Sequence, residues 1–135
     1  MSAQQHVYVL GINAKLGAEA EARWGTFDDI MKKIEVDLAR AERNGFPCTL
    51  QVVDSGNVDK SLAEFEANLI AGKDKYSALM FGGGIRTNPD PLPFEKAISI
   101  ARKVLKPDVL ILFNDGPDRH SWAIERGFGV KMEIG

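Results

Sequence analysis

Two short stretches of this chain hold the residue types that chemistry needs. From Asn114 to His120 the sequence reads Asn-Asp-Gly-Pro-Asp-Arg-His, which sets an imidazole close to the carboxylates of Asp115 and Asp118. A carboxylate orients an imidazole, and an imidazole exchanges protons near neutral pH, so His120 supported by Asp115 or Asp118 is a candidate acid/base group. The second stretch is Gly82-Gly83-Gly84, followed by Arg86 and Asn88. Consecutive glycines let backbone N–H groups approach a ligand, a helix starting beyond them adds partial positive charge, and a guanidinium can clamp a carboxylate or phosphate. Plainer readings exist for both stretches. Glycines can merely relieve crowding where a strand turns, and Asp118 can simply cap a helix, with Arg119 and His120 in solvent.

Other chemistry is disfavoured. His6 precedes the first apolar run, and Cys48 precedes the second, so both fall at the opposite edge from these stretches. A single cysteine excludes an internal disulfide, and without Cys or His clusters at ligand spacing no metal site is expected. Gly11-Ile12-Asn13-Ala14-Lys15-Leu16-Gly17 lacks the dinucleotide-binding spacing; no Gly-Lys-Ser/Thr follows a strand, and no Gly-x-Ser-x-Gly is present. A phosphoacceptor receiver domain resembles this length and topology, but Asn13 stands where its acidic pair would follow the first strand, and Gly82 replaces the aspartate after the third.

The elements that must position these residues alternate. Val7–Leu10, Thr49–Val53, Ser77–Phe81 and Val109–Phe113 are apolar, β-rich runs, the last expected to be buried on both faces; Val130–Ile134 alternates weakly enough for a fifth, edge strand. Between them, Phe27, Ile30, Met31, Ile34, Leu38 and Ala41 recur at helical spacing behind a Thr26/Asp29 capping box, and Asn44-Gly45 stops that helix. Leu62, Phe65, Leu69 and Ile70 mark a second helix, capped by Asp59 or Ser61 and ended by Gly72; Phe94 to Leu105 marks a third. A short helix runs from about Arg119 to Arg126. The segment from Ala14 to Gly25 is long enough for a flap, although a helical turn over about 18–23 with Trp24 packed down as an anchor is the favoured reading.

Alternating strands and helices argue for a three-layer α/β/α fold around a doubly wound, mostly parallel five-stranded sheet, in flavodoxin-like order 2-1-3-4-5 or half-Rossmann order 3-2-1-4-5. Its 135 residues suit a single α/β domain over 1–135. In a parallel sheet Asn13, Asp54, Gly82 to Asn88 and Asn114 to His120 all gather at the carboxyl edge, with Asp54 placed as a ribose or hydroxyl acceptor. With 44% hydrophobic residues, 27% charged and a net charge of -2, the composition carries no basic excess for nucleic acid. Met1 to Gln5 is polar and no apolar run approaches roughly 18 residues, so a cytoplasmic chain without membrane contact is expected. The leading functional expectation is a small enzyme acting on an anionic or nucleotide-like metabolite, with proton transfer by His120. The alternatives are a non-catalytic flavin- or nucleotide-binding module, with Trp24 stacking on the ring, and a protein-interaction domain; self-association is compatible with each.

Overall fold

A computed structural model describes residues 4–13 and 18–135, with the backbone alone for residues 18–20. Four strands, β1 (His6–Ile12), β2 (Cys48–Val53), β3 (Tyr76–Phe81) and β4 (Leu110–Phe113), form one parallel sheet in the order β2-β1-β3-β4. The helices are α1 (Ala18–Trp24), α2 (Phe27–Arg43), α3 (Val58–Ala71), α4 (Gly83–Thr87), α5 (Leu92–Val104) and α6 (His120–Phe128). This is the α/β class expected, and among the described residues the order follows the flavodoxin-like alternative.

The two-residue period of the strands sorts side chains between two cores. Tyr8, Leu10, Leu79 and Phe81 point to one face, where Leu62, Phe65 and Leu69 of α3 and Ala97 and Ala101 of α5 cover them. Val7, Val9, Ala78, Met80 and Leu112 point to the other, against Ala41 of α2 and Ala123 and Ile124 of α6. Helix α2 begins with the expected capping box: Thr26 Oγ1 accepts from the Asp29 N–H, and Asp29 Oδ2 accepts from the Thr26 N–H at 2.9 Å. Its chain reverses through Gly45, whose φ of +91° lies in the left-handed region.

The sheet has four strands among the described residues, not the expected five. Residues 130–134 carry no strand, because their backbone groups are taken elsewhere. Arg40 donates to the Met132 and Ile134 carbonyls, Asn44 exchanges hydrogen bonds with Ile134, and the Glu125 carboxylate accepts from the Met132 N–H. Buried Met132 pins this tail to the α2/α6 core. In consequence β4 is an edge strand, and Ile111 and Phe113 are exposed where burial on both faces was expected. Helix α3 also starts differently: Asn57 precedes it without a side-chain cap, and Ser61 Oγ instead accepts from the Asp54 N–H.

Candidate functional site

At the carboxyl edge, on the α2 side, the sheet borders a cavity of about 380 Å³. Ile30, Met31 and Ile34 of α2 face Val9 of β1 and Leu50 and Val52 of β2 across it, and Trp24 and Phe27 extend this apolar wall. Of the seventeen residues of α2 only Asp37 and Ala41 are fully buried; the apolar stripe that reads as core in the sequence stands half-buried over the cavity instead. Segment 14–17 of the expected flap lies outside the described residues, whereas α1 forms and places Trp24 on the cavity wall.

The polar lining collects where the strands end. Gly82, Gly83, Gly84, Arg86 and Asn88 arrive from the β3 side, and Asn114, Asp115 and His120 from the β4 side, as the parallel topology requires. Arg86 is the only cationic side chain in the lining among the described residues. Its Nη2 donates to the Asn114 carbonyl at 2.7 Å and its guanidinium lies 5.6 Å from the Phe113 ring centre, but it pairs with no described carboxylate. The Arg86 Nε is buried without a hydrogen-bond partner. Asp115, the one carboxylate of the lining among the described residues, is already paired with Arg119 at 2.9 Å, which holds its carboxyl below the usual range. The lining therefore carries a positive charge that the described residues leave uncompensated.

No family model matches the chain, and no curated protein matches its sequence. The chemistry of the cavity must be read from its own geometry.

His120 is buried at the first turn of α6, not in solvent, and its partner is Asp37 of α2 rather than Asp115 or Asp118. Asp37 Oδ2 accepts from the backbone N–H groups of His120 at 2.6 Å and Ser121 at 3.1 Å, and its Oδ1 accepts from Ser121 Oγ at 2.7 Å. A carboxylate from a neighbouring helix thus caps α6, the role that Asp118 could have filled; Asp118 is exposed. Burial pushes the Asp37 carboxyl up, but the hydrogen bonds from His120 and Ser121 more than offset it and hold it below the ordinary value. The imidazole Nδ1 lies 3.5 Å from the same Oδ2, too long for a well-formed bond, and has no other partner. Nδ1 faces Asp37, and His120 is among the residues that line the cavity. The sequence did carry a sign of Asp37: it falls three residues after Ile34 and four before Ala41, an acid on the apolar stripe of an amphipathic helix.

Asn13 and Asp54 do not line the cavity. Asn13 Oδ1 accepts from the Ser55 N–H, and Asp54 Oδ1 accepts from the Gly56 N–H, so both serve the turn after β2. Among the described residues no three metal-ligating side chains converge. Cys48, at the other edge, donates to the Phe46 carbonyl, and burial pushes its thiol up to about 12.

The glycines of the loop serve no evident internal need. None of Gly82, Gly83 and Gly84 has a positive φ. A Cβ would meet nothing within 4 Å at Gly83, and its nearest contacts would be an ordinary 3.5 Å at Gly82 and 3.4 Å at Gly84. Crowding at the strand end does not explain them. Gly83 and Gly84 are the first two residues of α4, and they leave bare backbone on the cavity wall.

Proposed function

We propose that the protein is a small α/β enzyme that binds an anionic metabolite at the carboxyl ends of its strands, with Arg86 pairing with the anion and His120 moving a proton. The observation that carries this reading is the state of Arg86: a cation on a mainly apolar cavity wall, with no described carboxylate partner and a buried, unpaired Nε. A cation on an apolar wall is poorly solvated, and an anionic ligand paired with the guanidinium compensates its charge through charge-assisted hydrogen bonds. Bare backbone at Gly82 to Gly84 gives such a ligand close access, while Asn88 and Asn114 supply neutral polar groups beside it. Asp37 supports His120 from behind. Their 3.5 Å separation is loose, as catalytic hydrogen bonds often are until substrate tightens them.

A non-catalytic binding module is the second reading, favoured because the capping bonds to α6 already account for Asp37. Native-state mass spectrometry of the purified protein tests the shared claim. The wild type is expected to retain a carboxylate- or phosphate-bearing compound that Arg86→Gln retains at a tenth of the occupancy or less. The same anion held equally by both proteins, or a neutral compound in its place, would contradict it. With that compound as substrate, His120→Gln should keep most of the binding and lower turnover by about 10² to 10⁴, separating the enzyme from the binding module.

A further inference from the structure

We infer that the ligand is an amphipathic monocarboxylate whose apolar body, of about eight to ten carbons, lies between α2 and the sheet while its carboxylate meets Arg86. This rests on the anion reading above and deepens it by assigning the other end of the cavity. The observation is independent of Arg86: Ile30, Met31 and Ile34 are only half-buried, although they lie on the side of α2 turned to Val9, Leu50 and Val52. An amphipathic helix gains most of its stability by burying that stripe, so a helix left standing off the sheet has a binding surface where core would be. The cavity's 380 Å³ corresponds, at roughly 30 Å³ per non-hydrogen atom, to about a dozen such atoms. Decanoate, with twelve non-hydrogen atoms, is therefore a probe of matching size.

Charge and polarity narrow the class further. Among the described residues the lining offers one guanidinium and no second cation, which matches a singly charged carboxylate better than a doubly charged phosphate. Away from the strand ends, the described walls between α2 and the sheet are apolar, and a ribose or base lying there would bury its hydroxyls or amides unpaired at a cost, so a nucleotide is disfavoured for that part of the cavity.

Calorimetric titration with decanoate, decan-1-ol and acetate, all below micelle-forming concentrations, tests the assignment. Each buried methylene tightens binding about fourfold, so decanoate should bind at least ~100-fold more tightly than acetate. Decan-1-ol should bind about 10-fold or more weakly than decanoate, and Arg86→Gln should abolish that difference. Ile34→Asn, at a half-buried position, should weaken decanoate by about 10-fold or more with little change for acetate, since it adds no charge beside Arg86; a melting curve checks the fold, and Gly83→Val provides a second block. Decanoate binding no more tightly than acetate, with both dependent on Arg86, would overturn the amphipathic assignment and leave the anion site standing. Decanoate and decan-1-ol binding alike, with no effect of Arg86→Gln, would overturn the anion site itself.

Discussion

On the α3/α5 face of the sheet, the Tyr8 ring packs 5.6 Å from Phe65 and 5.2 Å from Tyr76, and its hydroxyl bonds to Gln51 and Asn68; on the α2/α6 face, Ile30, Met31 and Ile34 end in a cavity. Helices on both faces carry an apolar stripe. What separates them is where the helices touch down. Helix α3 buries Leu62, Phe65 and Leu69 along its length, whereas α2 is anchored near its carboxyl end, by Ala41 in the core and by Asp37 bonded to the start of α6. One face is a finished core, and the other is a core with its carboxyl end held open.

The largest expected effect sharpens that difference directly. Phe65→Ala should cost about 3–5 kcal/mol in urea unfolding, as for other fully buried aromatics, whereas Ile34→Ala over the cavity should cost about 1 kcal/mol or less. Similar losses at both positions would mean that the two faces are packed alike. Next is the anchor. Asp37→Asn should destabilise by about 1.5–3 kcal/mol, because it removes a charged acceptor from three hydrogen bonds. The folded carboxyl titrates below the unfolded one, so its contribution is complete above the ordinary aspartate pKa of about 3.9 and is lost as pH falls through the lower folded value. The variant's stability should accordingly fall less than the wild type's over that acid range; parallel curves would exclude Asp37 as a stabilising charge.

The smallest effect separates two kinds of glycine. A Cβ on Gly127 would collide with the Leu112 side chain, so Gly127→Ala should destabilise by about 1–3 kcal/mol. Gly83→Ala meets open space at the first position of α4 and should instead leave stability unchanged or raise it by up to about 0.5 kcal/mol. Loss of stability at Gly83 would show that the loop needs its glycine for folding rather than for access.

Much of the frame was legible because it rests on local pattern: alternation and apolar runs marked the strands, and Thr26 with Asp29 marked the start of α2. The clustering of Gly82 to Asn88 with Asn114 to His120 followed from parallel topology alone. Three features escaped for reasons of tertiary contact. Nothing local says that Arg40, Asn44 and Glu125 take up the backbone groups of the tail and deny the sheet a fifth strand. Periodicity marks which side of α2 is apolar, but not whether that side meets a wall or a void. The partner of His120 lies 83 residues away at Asp37, whereas Asp115 and Asp118, near in sequence, are turned elsewhere.

The most direct test of an open face against a closed one is methyl NMR during titration with decanoate. The account predicts that the methyl signals of Val9, Ile30, Ile34, Leu50 and Val52 shift with one common dissociation constant, while those of Leu62, Leu69 and Leu79 stay in place. Shifts spread equally over both faces, or confined to the α3/α5 side, would contradict it.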